Sequence, residues 1–321
     1  MYNIQAEERF YSSKFYFSYS GLNKLLYSPT IFYKNYILNE REERTDSHLV
    51  EGRLLHCLLL DESSFDKQFV LSPTSVPTGG TKTLIDRLFK QVCEENKLDQ
   101  SLDSLQSEIL LLMQELNFYQ KLKTDNQRIE KICTDDASSY FEFLKSKSGK
   151  DIVDLDTYQR IKESLTVIRG NEQAMNILGD FNQQDIQSEV SLITDLSDTY
   201  SFGLKGVLDR LIIDGDKGRI IDFKTTSKTI SEFKDTVEYY NYWMQAAIYL
   251  ELVSKIYNLS NVGFTFIVID KYKQVYCFDV SDESIKNWRD KLYEKLEVAK
   301  YHYDNRCYTL PHEFLTSKVT L

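Results

Sequence analysis

Proline, cysteine and long apolar runs are scarce in this chain of 321 residues. There are four prolines and five cysteines, and none of the cysteines (Cys57, Cys93, Cys133, Cys277, Cys307) stands at C-x-x-C spacing. Neither a disulfide framework nor a zinc or iron–sulfur site is indicated, so the cysteines are expected to be reduced packing residues and no iron–sulfur cluster is expected. No apolar run approaches the roughly 20 residues that span a bilayer. The opening residues, MYNIQAEERF, have neither the basic nor the apolar region of a secretory signal. A cytoplasmic protein with no membrane partner is the expectation. The pattern G-x-x-x-x-G-K-[ST] is absent, so ATP-driven work must come from another protein. The formal net charge is −10, which argues against a broad basic surface that coats nucleic acid, although a local basic groove remains compatible.

What is present concentrates between Lys205 and Tyr249. Two β-branched, apolar runs flank Asp214-Gly215-Asp216-Lys217-Gly218, which predicts a β-hairpin with a tight reversal. With the reversal centred between Gly215 and Asp216, residues whose numbers sum to 431 face each other, and Asp209 faces Asp222. Directly opposed like charges destabilise a sheet, and a divalent cation would resolve the conflict. Strand alternation puts Asp209 with Val207 and Leu211, and Asp222 with Ile220, in a partly apolar layer. Hard oxygen ligands there suit Mg²⁺ or Mn²⁺. Lys224, two residues past Asp222, places an ammonium beside the carboxylates, where a phosphate or an attacking water would sit. A surface hairpin with solvated acids is the alternative. Lys205, Arg210, Lys217, Arg219, Lys224 and Lys228 crowd the hairpin and form the candidate basic groove. On the following helix, Gln245 and Tyr249 are one turn apart on one face.

Residues 18 to 60 read as three helical pieces. Ser20 is expected to cap the first, with Leu22, Leu25 and Leu26 inward, and Ser28-Pro29 to start the second. The third runs from about Ser47 and carries Leu49, Gly52, His56 and Leu60 on one face, with Gly52 leaving room for another backbone or a ligand. Residues 72 to 84, SPTSVPTGGTKTL, read as the clearest loop. From Thr83 to Leu178 the pattern is polar and helical, including one helix over 155–178. QSEVSLITDL reads as a strand carrying Glu189. NVGFTFIVID and QVYCFDV read as a second hairpin across Lys271-Tyr272-Lys273, followed by a helix from about Asp282 to His302 with Ile285, Trp288, Leu292 and Leu296 inward. The order predicts an α/β protein with helices on the faces of its sheet.

The acids, Lys224 and Q-x-x-x-Y together resemble the RecB-type branch of the PD-(D/E)xK nucleases. SYSGLNKLLYSPTIFYK and VEGRLLHCLLLDESSFDKQFVLSP, with SEVSLI, GVLDRL, IIDFKTT and QAAIY in the same order, are similar to the exonuclease VIII (RecE) family of phage recombination nucleases. That resemblance implies a restriction-endonuclease-like core, a mixed central sheet flanked by helices, over 181–321. An N-terminal helical region over 1–180 would supply the histidine-bearing helix and a helical insert of uncertain role at about 85–147. It implies that His56, Asp209 and Asp222 bind metal together with the carbonyl of Phe223, that Lys224 serves the attacking water, that Glu189 is a further catalytic acid, and that Gln245 and Tyr249 hold DNA. Without it, a lone histidine on an apolar helix face reads as a hydrogen-bonded core residue. The implied activity is Mg²⁺-dependent, 5′ to 3′ exonuclease action on linear double-stranded DNA ends in recombination or repair. A homo-oligomer and a single-strand annealing partner are implied as well. An endonuclease, or a catalytically silent DNA-binding or inhibitory protein, are the alternatives. The iron–sulfur RecB-like relatives carry a late cysteine trio, whereas Cys307 stands alone here.

Overall fold

The computed structural model describes residues 4–40, 47–179 and 186–318. The chain opens with α1 (Ile4–Tyr11), a short strand β1 (Tyr16–Phe17), α2 (Tyr19–Tyr27) and α3 (Pro29–Phe32), the last running into a π-turn at Tyr33–Ile37. Ser28 starts α3 as its spacing predicts, its hydroxyl accepting from the Ile31 amide with Pro29 in the first turn. The cap of α2 is Ser18, whose Oγ accepts from the Gly21 amide at 3.2 Å, not Ser20. Starting the helix two residues earlier leaves Leu22 and Leu25 fully buried.

Next come α4 (Ser47–Leu60), α5 (Phe65–Gln68), β2 (Phe69–Leu71), α6 (Gly79–Glu94), α7 (Gln106–Glu115), α8 (Asp125–Ile132), α9 (Asp135–Ser146), β3 (Asp151–Val153), α10 (Leu155–Gly170) and α11 (Glu172–Leu178). Two expectations change here. The loop expected to reach residue 84 stops before Gly79, where α6 begins. The single helix expected over 155–178 is two helices, because Asn171 leaves the helical conformation and its side chain caps α11 by accepting from the Ala174 amide at 2.9 Å. Among the described residues no backbone comes close to Gly52: a Cβ built there meets nothing within 4 Å, which leaves open space of the kind expected for a ligand.

The remainder forms β4 (Ile186–Asp195), β5 (Gly203–Asp214), β6 (Lys217–Thr226), α12 (Phe233–Tyr239), α13 (Tyr242–Ile256), β7 (Asn261–Asp270), β8 (Val275–Asp279), α14 (Asp282–Asp304) and α15 (His312–Thr316). Among the described residues, one compact unit takes those within Met1–Asp46, Leu59–Asp61 and Ser164–Leu321, and a second those within Ser47–Leu58 and Glu62–Glu163. In the second unit, β2 and β3 pair in parallel and Arg53 bridges to Asp151 at 2.6 Å. Its helices close on Leu84, Leu88, Ile109, Met113 and Phe141.

The first unit is built on a mixed sheet of six strands in the order β1-β5-β6-β7-β8, with β4 also paired to β5. The β5–β6 hairpin has the register read from the sequence, from Asp214↔Lys217 to Arg210↔Ile221. Its two-residue reversal places Gly215 at φ +60°, a conformation glycine adopts without steric cost. β6 and β7 run parallel, which requires a crossover, and α12 and α13 supply it. Almost every side chain from Trp243 to Val253 is buried, because α13 lies on β4, β5 and β7 while α14 covers it. Ile285, Leu292 and Leu296 of α14 face that core, with Trp288 packed at its margin.

Candidate active site

β5 has β4 along one edge, from Gly203 to Ile212. On its other edge β1 pairs with Gly203 and Leu204, and β6 pairs only from Arg210 onward. β6 itself continues along β7 to Thr226. The two hairpin strands therefore fork next to Asp209. Across the fork, Asp209 Oδ2 accepts a hydrogen bond from the Phe223 amide at 2.6 Å. Asp222, the residue before, is 1% exposed, and Asp209 is 8% exposed.

Glu189 faces the fork from the opposite side of β5. Its neighbours pair as Ser188↔Arg210 and Val190↔Leu208, so Glu189 stands opposite Asp209. Its backbone is left-handed, with φ +50°, a conformation costing a non-glycine residue on the order of 1–3 kcal/mol and concentrated at functional sites. A carboxylate oxygen of Glu189 and one of Asp209 lie within 4.8 Å of each other.

Lys224 forms an ion pair with Asp222 Oδ2. Burial pulls the lysine pKa down, but the Asp222 and Asp209 charges outweigh it and hold the ammonium above its ordinary value. The ammonium also lies over the Tyr242 ring, 4.9 Å from its centroid. On α13, Gln245 Nε2 donates to the Tyr249 hydroxyl at 2.9 Å. Burial first, then the Asp222 and Asp209 charges, push the Tyr249 phenol up. Tyr249 reaches this position because Gly206 has no side chain: a Cβ there would lie 2.7 Å from the ring. Two further tyrosines, Tyr19 and Tyr242, border the site without being marked by any sequence motif. The Tyr19 phenol is raised by burial and then by Tyr242 and Asp222, and its hydroxyl donates to the Tyr240 carbonyl. No local pattern signals either residue, since α2 and α13 meet only in the folded chain.

Six of the eight expected site residues, Glu189, Asp209, Asp222, Phe223, Lys224 and Tyr249, meet at the fork, and Gln245 joins them through Tyr249. His56 lies on α4, in the second unit. Arg210 leaves the expected basic groove. It is 1% exposed, with Nε donating to the Leu178 carbonyl at 2.7 Å and Nη1 to Ser188 Oγ at 2.8 Å, so it ties α11 and β4 to β5. Lys205, Lys217 and Arg219 are exposed, while Lys224 and Lys228 are half-buried. Val207 likewise leaves the apolar layer and is 47% exposed. Cys57 and Cys277 are buried and in no disulfide, but Cys93 is exposed and is not a core packing residue.

A mixed sheet that forks between two aspartates, with D-x-K on one prong and helices flanking it, is consistent with the restriction-endonuclease-like fold of the PD-(D/E)xK nucleases. The family model described as the PD-(D/E)XK nuclease superfamily matches residues 16–306, and the chain belongs to that superfamily. Among solved structures it is similar to a proposed exonuclease from Eubacterium rectale. That similarity has a TM-score of 0.51 and 12% identity, covering 100% of this chain and 95% of that one. At that identity the likeness bears on the fold alone. The structure of SSO0001 aligns at a TM-score of 0.24 and 12% identity, over 84% of this chain and 96% of that one. No curated protein matches the chain. Among the described residues no helix is long and apolar enough to cross a membrane.

Proposed function

We propose that this superfamily member is a Mg²⁺-dependent deoxyribonuclease, and that it works as an exonuclease resecting linear double-stranded DNA from its ends. The observation that carries the reading is the clustering of Glu189, Asp209, Asp222 and Lys224 at the strand fork. These three carboxylates and one ammonium leave a formal excess of two negative charges in a site whose two aspartates are buried. A divalent cation balances that excess, and the predominance of oxygen donors matches Mg²⁺, with Mn²⁺ as a substitute. Asp209, Asp222 and the Phe223 carbonyl would hold it, with Glu189 beside them. His56 is proposed as a further ligand on the strength of the G-x-x-x-H pattern.

When bound, a divalent ion supplies a Lewis acid for the phosphodiester and acidifies a water molecule. The chain's own residues do the rest. Lys224, kept protonated by Asp222 and Asp209, orients the attacking water and offsets negative charge developing on the phosphate. Glu189 lies at the exposed side of the cluster, where it can take a proton from that water. Gln245 and Tyr249, already bonded to one another, hold the DNA strand. Exonuclease action, 5′ to 3′ polarity, a role in phage-type recombination or repair, a homo-oligomer and a single-strand annealing partner all follow the resemblance to the exonuclease VIII (RecE) family, while a cytoplasmic setting is proposed from the sequence, which shows no apolar span and no secretory-signal pattern in its opening residues.

The test is to incubate linear, nicked and closed circular DNA with the protein in Mg²⁺ or in EDTA. Loss of linear DNA alone, and only in Mg²⁺, supports the proposal. Cut circles would make the protein an endonuclease with the same site. Intact DNA of all three forms would overturn the enzymatic reading.

A further inference from the structure

Beside the site, α12 ends in two consecutive tyrosines. Tyr239 closes the helix and Tyr240 caps it, and Asn241 then takes the left-handed conformation, φ +57°, that turns the chain into α13. The turn presents both rings to solvent: Tyr239 is 74% exposed and Tyr240 47%. Their centroids are 4.9 Å apart in an edge-to-face arrangement. Tyr240 in turn stacks on Tyr242, 5.6 Å between centroids and 28° between planes. Tyr242 carries the Lys224 ammonium over its ring, and the Lys228 ammonium lies over Tyr239 at 5.6 Å. A continuous file, Lys224–Tyr242–Tyr240–Tyr239–Lys228, thus leads from the ion pair at the fork to the surface.

The file is held from beneath. The Tyr240 carbonyl accepts from Tyr19, the Asn241 side-chain amide donates to Asn23 Oδ1 at 2.9 Å, and Asn241 Oδ1 accepts from Trp243 Nε1 at 3.1 Å. The adjacent Glu238 is ion-paired to Lys291 at 3.0 Å, which offsets its charge beside the rings. Exposed aromatic faces flanked by ammonium groups are what unpaired nucleotides bind: bases stack on the rings while cations meet the phosphates. Paired bases inside a duplex offer no free face to such a surface.

We propose that Tyr239 and Tyr240 form a stacking ledge for one or two unpaired nucleotides of a DNA end, next to the phosphate presented to the fork. The ledge is a positioning surface and not part of the chemistry; it rests on the nuclease reading above and specifies the substrate as a frayed or single-stranded end. Base stacking of this kind typically changes affinity by about 5- to 100-fold per base.

The experiment measures binding in EDTA, by fluorescence anisotropy, to labelled duplexes ending in a three-nucleotide overhang that is either normal or abasic. Cleavage of linear DNA in Mg²⁺ is measured in parallel. Wild type is expected to bind the normal overhang at least 5-fold more tightly than the abasic one. The double variant Tyr239→Ala/Tyr240→Ala should bind the two equally, and Tyr239→Phe/Tyr240→Phe should restore the preference, because stacking needs the ring and not the hydroxyl. Thermal melting of all three proteins checks that the exposed substitutions leave the fold intact. Equal binding of normal and abasic overhangs by wild type, with linear DNA still degraded, overturns the ledge and leaves the nuclease standing. A base preference that survives in the alanine variant also overturns it. Absence of both binding and cleavage by wild type overturns the nuclease reading and the ledge together.

Discussion

At the scale of single residues, Lys224 separates an electrostatic site from an ordinary polar surface. It is ion-paired to a carboxylate that is 1% exposed. Removing one member of a buried pair typically costs about 3–5 kcal/mol, because the other charge keeps its desolvation penalty. Lys224→Ala is therefore expected to lose a few kcal/mol of stability in EDTA, measured by urea denaturation, and to lose activity while still binding metal. Mn²⁺ should restore more stability to the variant than it adds to wild type, since without the ammonium the carboxylates bind the cation more tightly, and tighter binding to the folded state adds more stability. An unchanged denaturation midpoint in EDTA would contradict the buried-pair account.

His56 makes a second residue-scale prediction. As a ligand it presents one imidazole nitrogen to the metal while the other is held by an acceptor. His56→Ala should then weaken Mn²⁺ binding by roughly 10-fold or more in a calorimetric titration; unchanged affinity with lowered thermal stability would make it a packing residue. Asp209, Asp222 and Lys224 are legible in the sequence because the turn chemistry fixes the register, and the register fixes which side chains meet. Tyr19 and Tyr242 are not legible there, because their relation to Asp222 is made by helices brought together from distant parts of the chain. Arg210 misleads for the opposite reason. Its charge suggests a groove, and only the Leu178 carbonyl and Ser188 hydroxyl explain its burial.

At the scale of elements, the contact between α13 and β5 sets the position of Tyr249. Gly206→Ala would drive a methyl carbon to 2.7 Å from the Tyr249 ring and 3.1 Å from Leu252. Overpacking of this kind costs about 1–3 kcal/mol. The expected outcome is a lower melting temperature together with a weaker DNA-binding constant, as Tyr249 and its partner Gln245 shift. Full stability and binding in that variant would show that β5 and α13 are not in close packing there. Hairpin elements are readable because Asp-Gly reversals and alternating apolar runs are local signals. The break between α10 and α11 is not, because apolar spacing continues through Asn171 and only the cap made by its side chain, which accepts from the Ala174 amide, reveals a new helix start. β1 is two residues long and exists through its pairing with Gly203 and Leu204, which no local pattern announces.

At the scale of the whole molecule, the class of fold is readable because the order of strands and helices after residue 186 survives intact in the sheet. The discontinuous make-up of the two units is not, since residues at the start of the chain join the first unit through β1 and α2. With a net charge of −10, the proposed DNA substrate would be engaged through a few local cations, Lys224 and Lys228 on this account, and not through the general field of the protein. The central claim is that the acids at the fork form a metal-dependent nuclease centre, and Asp209→Asn tests it most directly. Asparagine keeps an oxygen to accept from the Phe223 amide and deletes one negative charge. The measurement is the rate of nucleotide release from linear duplex DNA as Mg²⁺ is titrated, for wild type and variant. The account predicts Mg²⁺-dependent release by wild type and a loss of more than 10-fold in the variant, at least about 1.4 kcal/mol of barrier. A variant that keeps more than about a tenth of the wild-type rate, with the same dependence on Mg²⁺, would contradict it.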